Sequence, residues 1–380
     1  MTERLKVSII ITNYNYDRFV GEAIDSALNQ SYQNTEVIVV DDGSTDRSRE
    51  TIEGYGVRIK TVLKSNGGHI SALNEGFNRS QGEIILFLDS DDILYSSAVA
   101  KAVNLYTDEK IAKIHWPLEV IDENGRKTGR IYPNSNLPEG DFQKFVLQNG
   151  PTSCVSPPTS GNAWSRCFLE SVMPIPEFKL IFGDASDAYL FGMAPFFGYI
   201  KRVKDPQGCY RGHGQNVYFN RSFIEKVQRG VQFYDIFYVY LEKYCFKLGL
   251  VGDKKSWLEK SWYHQLFKSV QEITNIIPKD SALILVDDGH WGMDNNFEGR
   301  RVIPFLEENG LYAGHPENDF KAIAEIERLR QNGAHYIIFV WSCFWWLDNY
   351  KEFNTYLCNT HKCILKNERL VIFELLEKSF

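Results

Sequence analysis

The sequence predicts an α/β fold with a mainly parallel sheet between helices, then a helical aromatic-rich stretch and a smaller α/β unit. Three observations predict it. Short β-branched runs alternate with helix-period segments through the first hundred residues, which implies a parallel sheet covered on both faces. Each run ends in a cluster of polar residues. The same alternation begins again at residue 282.

Residues 7–11 are a β-branched strand followed by the turn formers TNYNYD. Val20, Ile24, Ala27 and Leu28 then recur on one helical face. Residues 37–40 form a second strand ending in DDGSTD, and 59–63 a third ending in KSNGG. Ile70, Leu73 and Phe77 mark the next helix, and 84–88 a fourth strand ending in DSDD. The proline-rich segment from about 150 to 215 reads as loops and short helices beside the sheet. Residues 216–280 read as a helical linker. The tail, 281–380, alternates ALILV, a helix over 319–331, YIIFVW, a helix over 348–358 and LVIFEL, a Rossmann-like pattern. The expected domains are therefore 1–215, 216–280 and 281–380.

Composition excludes several classes. Of 380 residues, 43% are hydrophobic and 24% charged, ordinary for a globular protein. No apolar run reaches the roughly 18 residues of a membrane span, and the N-terminal apolar run is too short for a signal peptide. A net charge of −7 disfavours nucleic acid as a partner. Seven cysteines with no CxxC pair fit a reducing cytoplasm. Cys358, His361 and Cys363 lie close together but match no zinc spacing. No GxGxxG follows the first strand and no GxxxxGK[ST] occurs, so dinucleotide and P-loop chemistries drop out. A nucleotidyltransferase would need a basic Gly-rich loop where TNYNYD stands.

In an open parallel sheet, ligands bind beyond the carboxyl ends of the strands. There the chain collects Thr12, Asn13, Tyr14 and Asn15, then Asp41, Asp42 and Ser44, then Lys64, Asn66 and Gly67, then Asp89, Ser90, Asp91 and Asp92. So many carboxylates in one cleft would repel a phosphate unless a divalent cation joined them, and oxygen ligands suit Mg2+ or Mn2+. Asp, Ser and Thr after a strand also cap helices. That plainer role suits Thr45, Asp46 and Ser97, whereas Asp89 and Asp91 together exceed what one cap needs.

The motifs VSIIITNYN, VIVVDDGSTD, NGGHISALNEGF and GEIILFLDSDD, in that order, resemble those of a family 2 glycosyltransferase with the GT-A fold. The resemblance is close over about residues 5–105 and looser to about 216. It implies an inverting, bacterial enzyme of surface-polysaccharide synthesis that uses a nucleotide-diphosphate sugar, a UDP-sugar being favoured, and a saccharide or lipid-linked acceptor. By resemblance, Thr12 and Tyr14 hold the nucleotide, Asp41 accepts a hydrogen bond from the base, and Asp42 and Ser44 line the same wall. Asn66 and Gly67 pass near the nucleotide and Asn74 points back toward it. Asp89–Ser90–Asp91 is the D-x-D motif, with Asp89 on the ribose or the metal, Asp91 on the metal and Asp92 supporting the sugar side.

The family places an acidic base well after D-x-D. Asp187 has the matching Leu190 and Gly198 downstream, while Ser186 stands where a Glu is customary and Gly192 where an Arg is common. Asp184 is the runner-up, one helical turn away. PPTSGNAWSR resembles the segment under the acceptor, with Ser160, Gly161 and Asn162 near the sugar. YRGHGQN resembles the segment closing the site, with Arg211 and His213 in reach of the diphosphate or the metal. His69 reads as loop. The alternative is a catalytically weak sugar-nucleotide-binding assembly protein.

Residues 216–280 hold ten Lys/Arg against seven Asp/Glu. Phe223, Val227, Val231, Tyr234, Tyr238 and Leu241 form one apolar stripe. It is either core between domains or a surface for the inner membrane leaflet or a second copy. In the tail, Asp287, Asp288, Gly289 and His290 follow the first strand, where ligands bind or turns are capped. Trp341, Trp345 and Trp346 either stack on a sugar or pack the core.

Overall fold

The computed structural model describes residues 5–178, 180, 185–214, 221–292 and 296–376. The chain divides into two compact units: residues 1–220 with 229–262, and residues 221–228 with 263–380.

In chain order the strands of the first unit are β1 (Val7–Asn13), β2 (Thr35–Asp42), β3 (Lys60–Lys64), β4 (Ile84–Asp89), β5 (Ile93–Leu94), β6 (Ile111–His115), β7 (Leu118–Ile121), β8 (Lys127–Tyr132), β9 (Asn162–Ser165), β10 (Tyr199–Arg202) and β11 (Gly208–Arg211). Seven of them form one sheet in the order β10-β6-β9-β4-β1-β2-β3. β4, β1, β2 and β3 run parallel, and β9 is antiparallel to both neighbours. A second sheet has the order β5-β11-β7-β8. All seven residues of β1 are buried, as expected for a central strand covered on both faces. The helix Val20–Leu28 covers one face with Val20, Ala23, Ile24 and Ala27. The helix His69–Arg79 contributes Ile70, Ala72, Leu73 and Phe77 to the core. At Gly76 a Cβ would meet Ile10 Cγ2 at 2.3 Å, so this helix reaches the sheet only because the residue is glycine.

Segment 150–215 differs from the sequence reading. Its described residues hold three strands besides loops and short helices, and β9 and β10 belong to the main sheet. β9 is inserted between β4 and β6, its four residues all buried. The helices Phe223–Lys247, Lys254–Lys260 and Trp262–Ile276 follow. Five residues of the apolar stripe on the first of them, Phe223, Val227, Tyr234, Tyr238 and Leu241, are buried, and Val231 is half-buried. Among the described residues no helix is long and apolar enough to cross a membrane.

The second unit contains β12 (Ala282–Val286), β13 (Asn296–Phe297), β14 (Arg300–Pro304), β15 (Glu307–Glu308), β16 (Leu311–Tyr312), β17 (Tyr336–Val340), β18 (Lys362–Lys366) and β19 (Leu370–Glu374). Its main sheet has the order β13-β14-β12-β17-β19-β18, with β12 parallel to β14 and β17. The strands β18 and β19 close it as an antiparallel pair. The expected helix over 348–358 is two, Trp345–Asn349 and Lys351–Thr360.

Candidate functional site

The register of the sheet brings the polar strand ends together. Asn13 pairs with Asp41 across β1 and β2, Thr12 with Asp89 across β1 and β4, and Asp42 with Lys64 across β2 and β3. Thr12, Asn13, Asp41, Asp42 and Ser44 are buried, and Tyr14 is exposed beside them. Asn13 Nδ2 donates to Asp41 Oδ2 (3.0 Å) and to Ser44 Oγ (3.1 Å). Arg49 Nε donates to Asp41 Oδ1 at 2.7 Å. Burial alone would raise the Asp41 carboxyl, but the hydrogen bonds from Ser44, Arg49 and Asn13 outweigh it and hold it below its ordinary value.

Asp42 has a different task. It pairs with the Lys64 ammonium and accepts from the backbone N–H of Gly67 (3.0 Å) and Gly68 (2.8 Å). Asn66 Nδ2 donates to the Asp42 carbonyl at 2.9 Å. The loop after β3 is thereby fastened to the end of β2. Asn74 stands apart, since its amide exchanges two hydrogen bonds with the backbone of Ile175 (3.0 and 2.8 Å).

After β4 the chain turns through Asp89, Ser90, Asp91 and Asp92, with the Asp92 N–H donating to the Asp89 carbonyl at 3.1 Å. Ser90 and Asp92 are buried. The Asp89 N–H donates to Ser160 Oγ at 3.1 Å, so the 157–162 turn supports the motif from below. Asn162, by contrast, donates within its own turn, to the Pro158 carbonyl at 2.7 Å. His213 Nε2 lies 2.9 Å from Asp91 Oδ2. Arg211 is 1% exposed and braces the turn from inside. Its N–H donates to Asp92 Oδ1 (2.9 Å), its Nε to the Asp91 carbonyl (2.8 Å) and its Nη2 to Glu22 (2.6 Å).

Burial raises the Asp91 carboxyl first; the His213 hydrogen bond opposes this and the Asp89 charge adds to it. Asp92 is raised well above its ordinary value by burial and then by the charges of Asp91 and Asp89. Its Oδ2 is buried with no hydrogen-bond partner.

The helix Ser186–Met193 carries Asp187 in its first turn. Asp187 Oδ1 accepts from the Ala188 N–H at 2.7 Å. Asp184 lies outside the described residues. Gly192 stands where a Cβ would meet the buried Phe237 ring at 2.7 Å, which accounts for the absence of a long side chain there.

Two residues that sequence reasoning did not place in the site belong to this place. His69, read as loop, is the first residue of the helix His69–Arg79. Its Nε2 is 3.6 Å from Asp89 Oδ1 and its Nδ1 3.4 Å from Ser186 Oγ, so it spans the distance between the D-x-D turn and the helix of Asp187. Tyr16 packs against the His213 ring at 5.4 Å. Its hydroxyl pKa is pushed up by burial and then by Asp91, Asp89 and Asp92. Neither has a local signal, because a lone His in a Gly turn and a Tyr in a polar loop are common.

Cys358 and Cys363 are exposed, and His361 is buried with its Nδ1 3.3 Å from the Leu376 N–H it accepts from. These three make no ligand set among the described residues.

The sequence model described as glycosyl transferase family 2 matches residues 8–161. An uncharacterized glycosyltransferase of Nostoc sp. is 35% identical over 223 residues, covering 57% of this chain and 68% of that protein. One from Rickettsia felis is 43% identical over 136 residues, 35% of this chain and 23% of that protein. Among solved structures, Staphylococcus aureus TarS 1–349 in complex with UDP-GlcNAc has a TM-score of 0.52 at 17% identity. That likeness, of fold alone, covers 72% of this chain and 76% of the other.

Proposed function

Because the chain belongs to the family 2 glycosyltransferases and has the GT-A fold, we propose that it moves a sugar from a nucleotide-diphosphate donor to a hydroxyl, with inversion. A UDP-sugar is the proposed donor, as TarS was solved with UDP-GlcNAc. A saccharide or lipid-linked acceptor in surface-polysaccharide synthesis is the proposed recipient. The observation that carries this reading is the span from Asp89 through His69 to Ser186, which sets the D-x-D turn beside the helix of Asp187.

In this reading Thr12, Tyr14, Asp41 and Ser44 take the base and ribose, with Asp41 accepting from the base. Asp42 acts through the loop of Asn66 and Gly67. Asp89, Ser90 and Asp92 face the ribose and sugar, and Arg211 fixes their turn. Asp91, Asp89 and His213 are the proposed holders of Mn2+ or Mg2+. Carboxylates are hard donors of the kind such an ion takes and His213 Nε2 lies 2.9 Å from Asp91 Oδ2, while among the described residues Asp89 does not close a three-ligand group with them. When bound, the ion supplies charge neutralisation at the leaving diphosphate. Asp187 accepts the proton of the acceptor hydroxyl as that oxygen attacks the anomeric carbon and the bond to the diphosphate breaks.

The apolar stripe is largely buried, but Phe246 (86% exposed) and Val251 (90%) project at the turn between Phe223–Lys247 and Lys254–Lys260. Lys243, Lys247, Lys254 and Lys255 lie close to them in sequence. Exposed apolar tips in a lysine-rich stretch suit an anionic bilayer surface, so peripheral docking on the cytoplasmic face is part of the proposal.

Thermal melting with UDP, GDP, dTDP and CDP, each with and without Mn2+, tests the donor site. At about 100 times Kd a ligand adds roughly 2.7 kcal/mol. The expected result is a shift with one nucleotide, dependent on metal and absent in Asp91→Ala. No shift with any nucleotide overturns the donor assignment. A shift without UDP release from any UDP-sugar would leave a binding protein in place of an enzyme.

A further inference from the structure

The second unit has its own topological switch point. β12 lies between β14 and β17, parallel to both. The chain leaving β12 goes to the β14 side, and the chain leaving β17 goes by two short helices to β18 and β19 on the other. Loops that part in this way open a cleft at the carboxyl ends of the strands, where α/β sheets take their ligands. Asp287–His290 follow β12 and Trp341–Trp346 follow β17, so both groups stand at that cleft.

Within it, one carboxylate oxygen of Asp288, one ring nitrogen of His290 and the Sγ of Cys343 all lie within 4.8 Å of one another. Asp288 and Gly289 take positive φ (51° and 70°), and the His290 N–H donates back to the Asp287 carbonyl at 3.0 Å. This tight turn returns the imidazole toward the strand ends. Cys343 is fully buried beneath it. The Asp288 carboxylate is held in place by donors from three directions. Trp346 Nε1 reaches Oδ1 at 2.9 Å, Trp345 Nε1 reaches Oδ2 at 3.2 Å, and the Tyr312 hydroxyl reaches Oδ1 at 3.2 Å. His315 Nε2 is 3.3 Å from Oδ1. Outer partners of this kind orient a carboxylate ligand and tune its metal.

We propose that Asp288, His290 and Cys343 bind a Zn2+-class cation, with a fourth position left open. A thiolate and an imidazole select a borderline ion over Mg2+ or Mn2+, which separates this site from the carboxylate cluster of the first unit. Binding deprotonates the Cys343 thiol, the proton passing to solvent, and the metal–sulfur bond replaces the S–H bond. Three protein ligands and an open position are the arrangement of sites that receive a further ligand, whereas structural zinc sites are closed by four.

Cobalt titration of the full chain tests this, since Co2+ bound by a thiolate absorbs in the near ultraviolet and carboxylate-bound Co2+ does not. Wild type and Asp91→Ala should both develop the thiolate band with a single equivalent and lose it to Zn2+. Cys343→Ser should abolish the band. His290→Ala, at an exposed side chain, guards against misfolding of the buried cysteine variant and should weaken Co2+ binding at least about 10-fold. Absence of the band in wild type overturns the site, and so does its persistence in Cys343→Ser or unchanged affinity in His290→Ala. Because Asp91→Ala silences the first unit, failure here leaves the nucleotide reading intact.

Discussion

Lys113 is the sharpest test of how the first unit is built. It sits on β6, 1% exposed, with its Nζ donating to Ser156 Oγ at 2.5 Å and lying over the rings of Trp164 (5.2 Å) and Phe191 (5.4 Å). Burial lowers its pKa from 10.5 to about 7, the charges of Cys154 and Asp187 opposing the fall. In the unfolded chain the ammonium keeps its ordinary pKa. Between about pH 7 and 10.5 the unfolded state therefore binds the extra proton, and stability rises with pH. Below pH 7 the full penalty of a buried ammonium is present. Integrating between pH 7 and pH 9 gives a gain of about 2 kcal/mol. Lys113→Met, close in volume and uncharged, removes that gain and is more stable than wild type at pH 7. Urea unfolding of the first unit at the two pH values reads the effect. Comparing wild type with the variant cancels the other groups that titrate in this range. Parallel pH dependences in the two proteins would show that Lys113 is solvated or stably charged, and the reasoning would fail.

Three other outcomes are expected. Asp187→Asn should lower UDP release by about 100-fold or more while keeping the nucleotide-dependent melting shift; near-wild-type turnover would remove Asp187 as the base. Gly192→Arg should destabilise by about 1–3 kcal/mol, because even a Cβ there meets Phe237 at 2.7 Å; an unchanged melting temperature would refute the packing explanation. Phe246→Ser combined with Val251→Ser removes two exposed apolar tips, each contributing roughly 1.5 kcal/mol when buried. Co-sedimentation with anionic phospholipid vesicles should fall about 100-fold with the melting temperature unchanged, and equal sedimentation would exclude this tip as the contact.

The first four strands were legible because each is a short β-branched run stopped by turn formers. The structure adds a residue or two at the ends of three of them, as in Val7–Asn13 for 7–11, and shifts the third by one, from 59–63 to Lys60–Lys64. The carboxylate cleft was legible because the polar residues follow those strands directly. β9 was not. Its four residues, NAWS, carry no period and no β-branched residue, and only tertiary pairing with β4 and β6 makes them a strand. His69 was missed because its nearness to Asp89 and Ser186 joins segments far apart in sequence. Arg211 was expected to face the ligand, but its guanidinium is held by the Asp91 carbonyl and Glu22 while its backbone N–H donates to the Asp92 carboxylate, so it is a brace. The grouping of His290 with Cys343 depends on two strand ends that only the sheet order makes neighbours.

The Arg211–Glu22 pair has a consequence for anyone reshaping the protein's exterior. Glu22 is 57% exposed on the outer side of the helix Val20–Leu28 and looks freely replaceable. Its partner is not, being 1% exposed and bonded to the Asp91 carbonyl and the Asp92 carboxylate. A charge-reversal library that includes Glu22→Lys would therefore set two cations against each other, one of them enclosed, and misalign the turn that carries the carboxylates. Solubility engineering of this chain has to treat that one surface glutamate as an interior residue.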